Sequence, residues 1–169
     1  MEMKEIEKRA YSHFESGLHC AEVISKTVLE AFSDKPHIEV IKSASGFGGG
    51  IAGSTEELCG AFTGGVIALG GLLGREEPGE DMRDCGALIK DFKGTFKDAF
   101  GSLNCSHILQ GFSQNGNHGG CVKLTAQATV MLADLLNAFE KDREIDVHAF
   151  PYQPRDHVEL GGCPFSPGS

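Results

Sequence analysis

The sequence predicts an all-α fold: a single multi-helix domain built around a central Gly-rich helix. Three observations carry that expectation. Apolar residues recur at helical spacing in several long segments, glycine and proline clusters punctuate the chain between them, and no pair of alternating strand-like runs appears. At 169 residues, with 40% hydrophobic and 23% charged side chains, the chain is long enough for one domain with a buried core.

The elements follow in order. From about Lys4 to Glu15, Ile6, Ala10 and Phe14 fall on one stripe of an amphipathic helix, which Gly17 ends. A second helix runs from about His19 to Phe32, with Val23, Val28 and Phe32 apolar, before the turn Ser33-Asp34-Lys35-Pro36. His37 to Ser45 reads as a short helix or a strand, because Ile38-Glu39-Val40-Ile41 is rich in β-branched residues. Gly46-Phe47-Gly48-Gly49-Gly50 is a loop, since each interior glycine costs a helix about 1 kcal/mol relative to alanine.

Ser54 and Glu57 have the spacing of a capping box, which predicts the start of the helix that carries Cys59 and runs to about Leu73. That helix is uncharged from Leu58 to Leu73 but short of the roughly 20 residues a membrane span needs, so it reads as buried. After the acidic linker Glu76 to Glu80, a helix from about Met82 to Phe100 aligns Leu88, Phe92, Phe96 and Phe100 as a core stripe. Asn104 to Leu109 adds a turn or two, Gln114 to Asn117 is a loop, and the last helix spans about Cys121 to Phe139. Residues 1–144 thus form the domain, and 145–169, with Pro151, Pro154, Pro164 and Pro167, an extended tail.

Composition restricts function. A formal net charge of −9 disfavours nucleic acid and anionic membranes as partners. The charged N-terminal stretch lacks the features of a signal peptide, so a cytoplasmic, reducing setting is expected. There, cysteines serve metals or redox chemistry more readily than structural disulfides.

Four of the six cysteines stand beside glycines or breaks at predicted helix starts: Cys20, Cys59, Cys105 and Cys121. Such positions offer free backbone N–H groups to sulfur and room for an inorganic centre. One buried cysteine is an ordinary small hydrophobe, whereas four at helix starts point to a site. Close C-x-x-C pairs typical of zinc are absent, and so is the C-x-x-C-H of covalent haem. Wide spacing suits an iron–sulfur cluster assembled between helices. It equally suits a metal-free thiol–disulfide oxidoreductase or redox sensor, with Cys59 the attacking thiolate, its pKa lowered at a helix N-terminus.

Gly48, Gly49, Gly60 and Gly64 are the candidate cofactor-facing glycines, Gly60 and Gly64 sharing one helix face. Gly48-Gly49-Gly50-Ile51-Ala52-Gly53 also satisfies G-x-G-x-x-G, but no βαβ unit can be completed around it. His19, His107 and His118 lie near cysteines in sequence and read first as surface or capping residues. Cys85 reads as an auxiliary or inert thiol, and Cys163 as a cap, a resolving thiol or an extra ligand.

The pattern resembles the C_GCAxxG_C_C family of putative redox-active proteins. The matching residues are Cys20 in Gly17-Leu18-His19-Cys20-Ala21, the glycine run Gly46 to Gly50, and Cys59-Gly60-Ala61-Phe62-Thr63-Gly64. Phe100-Gly101-Ser102-Leu103-Asn104-Cys105 and Cys121 complete it, so the resemblance covers about residues 10 to 135. The same region is similar to the iron–sulfur portion of split-Soret cytochromes, without their haem attachment; Cys85, Cys163 and the tail fall outside the pattern. The resemblance implies a small redox-linked domain; together with the four cysteines it leads us to expect an iron–sulfur cluster of unspecified type, the metal-free thiol–disulfide protein led by Cys59 being the alternative. Its expected partner is a redox partner protein or a small-molecule electron donor or acceptor, and a homodimer is compatible with this reading.

Overall fold

The computed structural model describes residues 1–35, 37–114 and 119–145, whose regular elements are all helices, with no strand among them. The elements are α1 (Met3–Glu15), α2 (Cys20–Phe32), α3 (Ile38–Ala44), α4 (Gly60–Leu73), α5 (Arg83–Phe100), α6 (Cys105–Gln114) and α7 (Gly120–Ile145), with one 3-10 turn over Ser45–Phe47. None is long and apolar enough to cross a membrane. The predicted tail lies outside the described residues, apart from Ile145 at the end of α7.

The periodic stripes bury as their spacing requires. Ile6 and Ala10 of α1 are fully buried, and α1 packs against α7 and α2. On α5, Leu88, Phe92 and Phe96 are buried and Phe100 partly so. Their rings pack at centroid distances of 4.7 to 5.8 Å among themselves and against Phe62 of α4. Such pairs add about 0.5–1.5 kcal/mol beyond the area they bury.

α4 sits at the centre because it is bare. Gly60 and Gly64, four residues apart, turn one face without side chains toward α2, and these two helices make the most extensive contact in the fold. A Cβ built on Gly64 would meet the Ala21 carbonyl oxygen and lie 2.6 Å from both Ala21 Cα and Ile24 Cγ2. On another face, Gly65 accepts the Phe92 ring. Helices can approach backbone to backbone only where no Cβ intervenes.

One open alternative is resolved and one local expectation is corrected. α3 is a helix, and it presents Val40 and Ile41 to the core despite their β-branching. The Ser54–Glu57 capping box does not form, and α4 begins only at Gly60, with Cys59 as its N-cap. The reason is the loop ahead of it. Gly49, Gly50, Ile51, Ala52 and Gly53 all take left-handed φ values between 50° and 76°. Ser54 turns its hydroxyl back onto the Gly50 carbonyl oxygen, and Thr55 N–H reaches back to Gly49 O at 2.8 Å. Left-handed backbone costs a non-glycine residue roughly 1–2 kcal/mol. Ile51 and Ala52 bear that cost, and the loop stays coiled up to the start of α4.

α6 is also longer than the predicted turn or two, running ten residues from Cys105. α7 extends beyond Phe139 to Ile145.

Candidate functional site

Four helices begin at a cysteine or within one residue of it. Cys20 is the first residue of α2. Ahead of it, His19 N–H donates to Glu22 Oε2 at 2.9 Å, and Ser45 Oγ donates to the other Glu22 oxygen at 2.8 Å. Glu22 therefore ties the start of α2 to the 3-10 turn beside the glycine loop.

Cys59 and Cys105 are fixed by the backbone. Leu58 and Asn104 form an isolated antiparallel bridge, around which Cys59 N–H donates to Leu103 O at 2.7 Å and Cys105 N–H to Glu57 O at 2.8 Å. Side chains alternate across such a ladder, so the neighbours of the bridging pair share its opposite face. Leu58 is accordingly 42% exposed, while Cys59 and Cys105 are 7% and 6% exposed. The two cysteines are diagonal neighbours across the bridge, a relation that separates Cα atoms by about 7–8 Å. Asn104 caps α6: its Oδ1 accepts from Ser106 Oγ at 2.6 Å and from His107 N–H at 3.3 Å. Its Nδ2 donates to Glu56 O at 2.7 Å, holding the strap in place.

Cys121 is the second residue of α7 and is exposed, unlike its three counterparts. Gly120 before it packs on Phe112, which sets the start of α7 against the C-terminal half of α6.

The glycines decide what fits between these segments. A Cβ on Gly60 would strike Cys20 Sγ and come within 2.8 Å of Phe47 O, and a Cβ on Gly50 would lie 2.8 Å from Cys105 Cβ. Both positions keep the space beside sulfur clear. Gly48 backs onto His19 and Gly49 onto Gly53. Gly64, expected to approach another helix or a cofactor, is filled against Ala21 and Ile24 of α2, the first of those two. Gly50 is the glycine that the sequence reading left out of the candidate set.

The thiols sense one another. All five described cysteines are free. Burial pushes the Cys59 thiol up to about 12; N–H groups of Ala61 and Phe62 pull the other way, and charge on Cys20 and Cys105 adds to the rise. Cys105 is raised by burial and then by charge on Cys20. Cys121 is raised by desolvation, then by Cys20 and Cys105, although its side chain reaches the surface. Charge on Cys20 thus acts on all three partners. The lowered Cys59 pKa expected from its helix-start position is reversed, because desolvation outweighs the two N–H groups.

That reversal has a consequence for stability. The unfolded thiol ionises near pH 8.5, the native Cys59 only near 12, so above about pH 9 the unfolded chain binds fewer protons. The metal-free protein should lose about 1.4 kcal/mol of stability per pH unit through this group as pH rises above 9. Below the unfolded thiol's pKa the contribution is fully present. Urea denaturation at pH 7.5, 9 and 10 under reducing conditions measures it, and a flat profile would contradict the burial of Cys59.

Cys85 stands apart. It is buried in α5, its Sγ directed to Leu69 O at 3.8 Å, and its thiol is raised by burial alone. His107 approaches Ser102 Oγ at 3.5 Å. His118 and Cys163 lie outside the described residues. Among the described residues, no three Cys, His, Asp or Glu side chains are set to hold a single metal ion.

The four cysteines stand at the starts of four helices, and Gly60 and Gly50 leave room beside Cys20 and Cys105. The family described as putative redox-active protein (C_GCAxxG_C_C) matches residues 18–135, which include all four cysteines. No curated protein and no solved structure matches the chain.

Proposed function

Because the chain belongs to the C_GCAxxG_C_C family of putative redox-active proteins, we propose that Cys20, Cys59, Cys105 and Cys121 hold an iron–sulfur cluster for electron transfer or redox sensing. The observation that carries this reading is the placement of four free thiols at the starts of four different helices, with Gly60 and Gly50 bare beside Cys20 and Cys105. Burying several thiols together raises the cost of ionising each, and a bound cation removes that cost by taking the thiolate outright.

Bound there, a cluster supplies one-electron chemistry at a potential set by charge, hydrogen bonds to sulfur and exposure. The chain's own groups serve those ends. The backbone N–H groups of Ala61 and Phe62 favour the Cys59 thiolate, and the N-termini of α2, α4, α6 and α7 place positive dipole ends near the sulfurs. Ile108, Leu124 and Phe62 join Cys59 in the apolar core, which excludes water from the inner side. Cys121, exposed, marks the side from which a partner protein or small electron carrier would approach.

The alternative, a metal-free thiol–disulfide oxidoreductase or sensor led by Cys59, draws support from the same proximity. It is weakened by the raised Cys59 pKa, since a thiol held near 12 is protonated at neutral pH and attacks slowly. Anaerobic purification and reconstitution discriminate the two. Brown protein with thiolate-to-iron absorption and stoichiometric iron and sulfide is the expected result. Colourless protein after anaerobic reconstitution would overturn the cluster.

A further inference from the structure

Helical threonines in this fold return their hydroxyls to the backbone one turn back. Thr27 donates to Val23 O at 2.7 Å, Thr129 to Thr125 O at 2.7 Å, Thr95 to Asp91 O at 3.0 Å and Thr63 to Cys59 O at 3.4 Å. Thr125 breaks the pattern. It is fully buried, its hydroxyl has no hydrogen-bond partner, and the carbonyl it declines is that of Cys121. A buried hydroxyl left unpartnered is costly and uncommon, and in a native protein it calls for a missing acceptor or donor.

Its position indicates the acceptor. Thr125 lies four residues after Cys121, one turn deeper on the same stripe of α7. That stripe also carries Leu124, Ala128, Leu132 and Leu136 into the main core. Side chains on a helix lean toward its N-terminus, so the Thr125 side chain covers the turn from which Cys121 projects.

We propose that Thr125 is a positioning residue of the sulfur site, its hydroxyl donating a hydrogen bond to the sulfur held at Cys121. The inference rests on the cluster reading and adds a role that no cysteine can fill. Of the four cysteines Cys121 is the exposed one, so a donor from the dry side would hold its sulfur in one orientation. A hydrogen bond to sulfur favours the more negative, reduced state.

The test uses the full chain with Thr125→Val, which keeps the shape and removes the hydroxyl, beside Thr125→Ser, which restores it. Thr125→Ala is added in case valine disturbs packing. In the metal-free protein, Thr125→Val should be at least as stable to urea as the parent, because an unpartnered polar group has been removed. In anaerobically reconstituted protein, its midpoint potential should fall. A tenfold shift of the oxidised–reduced equilibrium, about 59 mV for one electron, is the expected scale. Thr125→Ser should keep the parent potential. Equal potentials for the parent, Thr125→Val and Thr125→Ala would overturn the inference while leaving the cluster in place. A parent that takes up no iron and sulfide would remove the cluster reading, and this inference with it.

Discussion

Gly64→Leu should destabilise the protein severely. Overpacking a well-filled contact typically costs about 1–3 kcal/mol. Here the first obstacle is the α2 main chain at Ala21, whose carbonyl oxygen the new Cβ would strike and whose Cα lies 2.6 Å from it, with the Ile24 side chain equally close. Backbone cannot rotate aside as a side chain can, so the cost should reach or exceed the top of that range. Helix propensity acts in the opposite direction but returns at most about 1 kcal/mol. Gly70→Ala on the same helix supplies the control. Gly70 is exposed with nothing within 4 Å of its Cβ position, so it should gain roughly 0.5–1 kcal/mol. Urea denaturation of both variants checks the pair. A Gly64→Leu protein as stable as the parent would mean that α2 and α4 do not meet through this face. Any folded fraction should also bind less iron, since Cys20 begins the turn of α2 that the leucine would displace.

The contrast between these glycines shows how far the sequence could be read. Period alone located the buried faces of α1, α2 and α5, because Ile6, Val28, Phe92 and Phe96 repeat at helical spacing and all bury fully. Placement of cysteines at helix starts was legible too, since glycine and breaks precede each one. What brings Cys59 beside Cys105 was not. Their link is a single bridge between Leu58 and Asn104, and one residue pair leaves no periodic trace.

The Ser54–Glu57 spacing is a capping signal only if a helix follows directly. After the left-handed run from Gly49 to Gly53, Ser54 donates to the Gly50 carbonyl and accepts from Glu56 N–H within a turn, and the helix starts only at Gly60. Burial, which sequence does not display at a single thiol, reversed the sign of the Cys59 shift. α6 was cut short although Ile108 and Phe112, four apart and both packed in the core, carried its signal.

Serine substitution of each cysteine in turn should sort the thiols by iron content after anaerobic reconstitution. Cys20, Cys59 and Cys105 should give the deepest loss. Removing even a supporting partner of a metal ligand costs about 10–100-fold in affinity, and removing the thiolate itself should cost at least as much. Cys59 and Cys105 are 7% and 6% exposed, so neither solvent nor an external thiol can replace them readily. Cys121→Ser should be the mildest of the four, because that position is exposed and a small thiol added to the buffer can occupy it. Cys85→Ala should keep full iron content. Its sulfur is turned to Leu69 O, away from the other four, and its removal should cost only the roughly 0.5–1.5 kcal/mol typical of deleting one buried methyl-sized group. Iron and sulfide assays, paired with urea denaturation of the metal-free variants, separate loss of the centre from loss of the fold. If Cys85→Ala lost its iron while Cys59→Ser kept it, the centre would have to be moved from the starts of α4 and α6 to the buried face of α5.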